Sequence, residues 1–154
     1  MAVKLFKLAL ASAVFACVGA GIALAGPADD AITARRNCMK MGNGAMMKAL
    51  SAIAKGETPY SNDAVQAALK VEGAACADWD KWWVAGTEKG ETVETFAKPE
   101  AISDAKGFGE AGGVWYNAYV AVQKSTDEAS FKAALPALGA GCQGCHEKYR
   151  KPAG

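Results

Sequence analysis

The chain has 154 residues, of which 51% are apolar and 21% charged, so it is long enough for one domain with a real core. Its formal charge is +1, and it has neither basic stripes nor a basic excess, which excludes a nucleic-acid footprint. Five cysteines and a single histidine limit the metal and redox chemistry open to it.

Residues 1–25 read as a secretory leader. Lys4 and Lys7 precede an apolar run from Leu8 to Ile22, and Ala23-Leu24-Ala25 gives a small-x-small cleavage pattern before Gly26. Cleavage there leaves a domain of residues 26–154. It removes two lysines, which takes the formal charge from +1 to −1. An exported, periplasmic protein is expected, with no membrane segment after cleavage.

The first amphipathic helix spans about Asp29 to Ala54. With Met39 at the origin of a helical wheel, Ile32, Met46, Leu50 and Ile53 fall within roughly 40° of it. Arg35 lies on the same stripe and Arg36 at its edge, while Met41 points away. An arginine on an apolar face needs an anionic partner. Gly56 and Pro59 end this helix, and Ser61 is the natural N-cap of a second, running to about Trp83. Its seam is Val65, Leu69, Glu72, Cys76, Trp79 and Trp83. Cys38 and Cys76 could pair or both be free; buried inert thiols are the default expectation.

Residues 86–101 form a connection longer than a helical bundle normally needs, partly anchored by Phe96 and Pro99. A third helix, about Asp104 to Lys124, turns Phe108, Ala111, Trp115, Tyr119 and Val122 inward. Gly112-Gly113 leaves room for another helix or a flat ligand. The fourth helix, about Asp127 to Arg150, carries Phe131, Leu135, Leu138, Cys142, Cys145, His146 and Tyr149 on one side, and Pro136 is expected to bend it or delay its start. Together these predict an all-α, antiparallel up-down-up-down four-helix bundle.

Cys142-Gln143-Gly144-Cys145-His146 has the CxxCH spacing of a c-type haem attachment site. Positions i and i+3 share a helix face, so two thiols can reach the two vinyl groups of one porphyrin, and the histidine can meet the iron. Because the first and last helices run antiparallel, residues near the start of the first face the end of the last. His146 lies ~6 Å from the end of its helix and Met39 ~14 Å into the first, with Met46 ~10 Å deeper. By elimination Met39 is the candidate sixth ligand, with Arg35 and Arg36 one turn nearer the open end, where propionates would supply anions.

These features resemble the class II c-type cytochromes, or cytochrome c′ family. The similarity spans Arg35 to Lys40, the Lys55-Gly56-Glu57-Thr58-Pro59-Tyr60 turn, the loop through Gly90-Glu91-Thr92, Ala97 to Glu100, and Cys142 to Arg150. It implies a four-helix bundle with one covalent haem c and, at the haem edge, Arg35, Arg36, Glu91 and Thr92. The run from Met39 to Met47 is closer to the low-spin members, whose methionine ligates iron and which carry electrons. The alternative is a five-coordinate cytochrome c′ that binds NO or CO, with Met39 only shielding the distal face. The position after Arg35, often glutamine in cytochromes c′, is Arg36, and the tryptophan usual after Pro-Glu-Ile is missing. The resemblance implies a monomer or homodimer serving a redox partner protein, and not an enzyme. A third reading, with Cys142 and Cys145 as a redox dithiol or half a zinc site, lacks a second ligand pair.

Overall fold

The computed structural model describes residues 26–152, so the expected leader lies outside the described residues. The first long helix is α1, Pro27–Asn37, which continues through a π-helical stretch, Cys38–Gly44, into α2, Ala45–Ala54. Then follow α3 (Asn62–Ala75), a 3₁₀ turn (Trp79–Trp82), the short α4 (Glu100–Ser103), α5 (Ala105–Gln123) and α6 (Glu128–Tyr149). The four long elements form the expected four-helix bundle: α5 packs along α6, α2 along α3, and α2–α6 and α3–α5 contacts close the set.

Local chemistry explains the boundaries. Gly56 takes a φ of 76°, the left-handed conformation that ends α2. Ser61 accepts the Ala64 N–H at 3.1 Å to start α3. Asp104 accepts the Gly107 N–H at 3.0 Å to start α5, and Asp127 with Ser130 forms a reciprocal capping box on α6. α6 continues through Pro136 rather than starting after it. α3, in contrast, stops earlier than its seam suggests. Its last bond runs from the Cys76 N–H to the Glu72 carbonyl at 2.9 Å, and Trp79 falls in the 3₁₀ turn.

Two expectations about the first helix are corrected. Cys38 and Cys76 are not free thiols but a disulfide, with their Cα atoms 4.9 Å apart. Met39 is also not on the core row. The buried row runs Cys38, Gly42, Met46, Leu50, Ile53, and Met39 lies one residue over, half-buried. The π-helical stretch, with its i→i+5 bonding, breaks the 100° register on which the wheel depends.

The core occupies one end of the bundle. Met46, Leu50 and Ile53 of α2 meet Val65, Ala68 and Leu69 of α3, Ala118 and Val122 of α5, and Phe131 and Leu138 of α6. These come from the end of the first long helix, the start of α3, the end of α5 and the first half of α6. In an antiparallel bundle those are neighbours. Each large apolar side chain buried there contributes about 1.5–3 kcal/mol. Phe131 is fully buried and touches the Tyr60 ring at 5.8 Å between centroids. Phe131→Ala should therefore cost about 3–5 kcal/mol in denaturant unfolding without changing the opposite end.

The long loop is tied down at both ends. The Glu91, Thr92 and Val93 N–H groups donate to Asp29 at 2.8, 3.0 and 3.2 Å, and the Thr92 hydroxyl does so at 2.5 Å. A Cβ on Gly90 would collide with Asp29 and the Val93 carbonyl, so the approach requires glycine. Further on, an isolated bridge pairs Ala97 with Arg150, and the Lys98 ammonium donates to the Glu147 and Lys148 carbonyls at 3.1 and 3.0 Å at the end of α6.

Candidate haem site

The end of the bundle opposite the core is open. There α1, the π-helical stretch, the end of α3, the start of α5 and the end of α6 surround a cleft with two lobes, of about 690 Å³ and 830 Å³. Both are within the range of cofactor sites. Met39, Trp79, Trp83, Phe108, Cys145 and His146 line both lobes, and Cys142 lines the larger one.

The CxxCH motif is set by a close helix contact. Gly141 is buried against α5, where a Cβ would come within 2.9 Å of the Trp115 Cα. The next residue, Cys142, thus emerges into the cleft at a fixed height. Cys142 and Cys145 are half-buried and free, and burial pushes both thiols above the ordinary thiol range. That favours neutral thiols over the thiolates that a nucleophilic dithiol or zinc site needs. Among the described residues, the donor atoms of Cys142, Cys145 and His146 do not converge as a metal-binding set, whereas those of Cys38, Glu72 and Cys76 lie within 4.8 Å. The two sulfurs of that second group are already bonded to each other.

His146 is exposed at the cleft, yet burial around its ring, followed by the Arg150 charge, lowers its pKa. The neutral imidazole, which has a free lone pair, is the form an iron ligand requires.

The walls fit a flat, largely apolar group that carries anions. On α5, Ala105, Gly109 and Gly112 face the larger lobe, and nothing lies within 4 Å of where a Cβ would stand on either glycine. No other helix approaches Gly112, which borders open space. Trp79, Trp83, Phe108 and Tyr149 form a continuous aromatic wall, with successive centroids 4.9, 4.5 and 5.1 Å apart. Two buried donors in this wall, Arg35 Nε and Trp83 Nε1, lack a hydrogen-bond partner. Both residues line the smaller lobe, where a carboxylate would satisfy them.

The expected site residues separate into three groups. Arg35 is 4% exposed. Its Nη2 donates to the Thr87 carbonyl at 2.6 Å and its Nη1 to the Thr87 hydroxyl at 3.3 Å, with Cζ 4.7 Å above the Trp83 ring. Burial lowers its pKa, opposed by the charge of Glu88. Arg36 is exposed, lies 5.1 Å above the Phe96 ring, and also lines the smaller lobe. Glu91 and Thr92 are not among the cleft-lining residues. They bind Asp29, and the loop reaches the cleft through Val93, Thr95 and Phe96 instead. Of the methionines, Met39 faces both lobes and Met47 the larger one, Met46 is in the core, and Met41 is 59% exposed.

The sequence reading missed Asp29 and Thr87. Both are small polar residues whose side chains bind across about 50 or more residues of chain, and a local pattern carries no sign of that. The Thr92 hydroxyl is the main cause of a depressed Asp29 pKa, opposed by burial and reinforced by the three backbone donors. A carboxylate depressed in the folded state stabilises above the ordinary carboxylate range and loses that contribution as pH falls through its folded pKa. Asp29→Asn should lower stability at neutral pH and flatten the acid limb below about pH 4. Thermal unfolding of both proteins between neutral pH and that range checks it.

The fold, the attachment motif and the cleft together define a haem-binding bundle of the c type. A family model described as Cytochrome C′ matches residues 30–150, and the chain belongs to that family, whose members carry one covalent haem c. It is 33% identical over 150 residues to a cytochrome c-556 of Agrobacterium fabrum, covering 97% of this chain and 98% of the relative. It is 31% identical over 107 residues to a cytochrome c′ of Alcaligenes xylosoxydans xylosoxydans, covering 66% and 79%. The solved cytochrome c′ of Rubrivivax gelatinosus superposes with a TM-score of 0.68 at 26% identity, over 79% of this chain and 95% of that one. The chain is thus a haem c cytochrome and not an enzyme.

Proposed function

We propose that this cytochrome carries single electrons, with His146 and Met39 as the two axial ligands of a haem attached through Cys142 and Cys145. The observation that carries the reading is that Met39 and His146, alone of their residue types, line both lobes of one cleft. The haem supplies a one-electron iron couple. The chain's own residues do the rest. Two neutral thiols give thioether attachment on one face of α6. His146 offers a neutral nitrogen, and Met39 a thioether sulfur, which raises the potential. Retaining both ligands in the two oxidation states limits rearrangement during transfer.

Arg35 and Trp83, each with a buried unpartnered N–H, would hold the propionates, and Arg36 beside Phe96 would cover the rim. We assign Glu91 and Thr92 a supporting part, through Asp29, in place of direct contact with the haem edge. Trp79, Trp83 and Phe108 exclude water from the ring. Among the described residues no helix is long and apolar enough to cross a membrane. We further propose export to the periplasm with cleavage before Gly26, and intact mass measurement of the mature protein should find Gly26 at its N-terminus.

The alternative is a five-coordinate protein binding NO or CO behind a shielding Met39. It is supported by the cytochromes c′ among the relatives, since a mutant of the Alcaligenes xylosoxidans protein has been solved as a nitric oxide complex. Spectra of the ferric and ferrous protein, with and without CO, separate the two. Low-spin iron that resists CO is expected, and a high-spin ferrous form that takes up CO promptly would reverse the assignment. Met39→Leu should convert the iron to high spin with less than about 1.5 kcal/mol lost in stability, the range of a volume-conserving apolar exchange; an unchanged spectrum excludes Met39.

A further inference from the structure

We infer that the Cys38–Cys76 disulfide is what places Met39 over the cleft, making these two cysteines positioning residues for the sixth iron ligand. The inference rests on Met39 ligating the iron. Cys38 directly precedes Met39 and opens the π-helical stretch Cys38–Gly44. Apart from Cys38, no side chain of this stretch is buried in an apolar contact. The core begins at Met46, and between Ile32 and Met46 the buried residues of the first helix are Arg35, Cys38 and Gly42. On its cleft side there is an open lobe rather than a neighbouring helix.

Three observations converge on the tether. Gly42 sits so close to the end of α3 that a Cβ would come within 3.0 Å of both the Ala75 Cβ and the Cys76 sulfur. The Asn43 side-chain amide lies 3.7 Å from each sulfur. The Glu72 carboxylate is within 4.8 Å of both, and burial raises its pKa. The disulfide thus has polar neighbours in Asn43 and Glu72, and the close approach of Gly42 to Ala75 beside it has no side chain on the Gly42 side to hold the register.

The tether also fixes two walls to each other. Cys76 ends α3, and the chain proceeds from it directly into Trp79 and Trp83, which face Met39 across the same cleft. A π-helical stretch is less favourable than a regular helix and persists where the surroundings enforce it. Without the bond, the stretch is free to return to α-helical winding, which turns Met39 away from its present direction.

The test compares the holoprotein with Cys38→Ala/Cys76→Ala and with Ile53→Ala, which weakens the core far from the tether. Ferrous spectra, CO association rates and amide hydrogen exchange over residues 38–44 are measured on each. The double variant should gain a high-spin fraction, bind CO on the order of tenfold faster, and exchange faster over 38–44. Ile53→Ala should lose stability yet keep the parent's spectrum and CO rate. Should the double variant not fold, the disulfide of the folded parent can be opened with a water-soluble phosphine. The phosphine takes oxygen from water to become its oxide, and the S–S bond accepts two electrons and two protons to give two thiols. The same gain in CO rate is expected. A disulfide-free protein with the parent's spectrum and CO rate overturns the inference while leaving Met39 as ligand. A high-spin parent overturns the ligation and the inference with it.

Discussion

One end of this bundle must stay unfilled, and the rest of the structure depends on how that is achieved. Helices of this kind gain most of their stability by burying apolar faces against one another. Here the facing positions are filled only at the end built from α2 and the adjoining parts of α3, α5 and α6. At the other end, where glycines and an aromatic wall border a cleft, mutual packing is reduced to contacts such as Gly141 on Trp115. Specific ties take its place: the disulfide, the Asp29 loop anchor, the Ala97–Arg150 bridge and the Tyr149–Asp104 hydrogen bond of 2.8 Å. A disulfide across 38 residues restricts the unfolded chain by about 4 kcal/mol on a chain-entropy estimate. That is comparable to two fully buried leucines.

The electrostatics of the cleft follow from the same vacancy of packing. A buried guanidinium without a counter-charge carries a desolvation cost of several kcal/mol. Arg35 has no salt-bridge partner among the described residues. Its two Nη atoms donate to Thr87, and its flat face lies on Trp83. Its Nε and the Trp83 indole Nε1 are buried without a hydrogen-bond partner, and both residues line the smaller lobe. Under the proposed function, haem propionates would supply the missing anionic partner. Neutral thiols and a neutral imidazole, all favoured by burial, match the states that attachment and ligation use.

What could be read from the sequence was whatever repeats locally. Four helices, their caps at Ser61 and Asp127, the core residues Leu50, Val65, Leu69, Phe131 and Leu138, and the attachment motif all follow from spacing and side-chain type. Helix ends near Cys76 and contacts of the long loop did not, because they depend on partners distant in the chain. Glu91 and Thr92 do not line the cleft; their backbone N–H groups and the Thr92 hydroxyl are taken up by an aspartate 62 or more residues away. The pairing of Cys38 with Cys76 is of the same kind. Both residues read as members of apolar faces, and burial alone does not distinguish a thiol from a bridge.

Met39 shows how a residue can be placed at the cleft through an inexact geometry. The wheel placed it in line with Met46 and Leu50, and the depth along the helix placed it opposite His146. Only the second argument is independent of winding. Had the first helix been α-helical throughout, Met39 would share a row with a core methionine and compete with it for the interior. The π-helical stretch separates the two rows, sending Cys38, Gly42 and Met46 inward and Met39, Asn43 and Met47 toward the cleft. Two methionines thus line the larger lobe, and of these only Met39 also lines the lobe bounded by Arg35 and Arg36. A haem whose propionates meet those arginines while its iron meets His146 has Met39, not Met47, within the set of side chains common to both requirements.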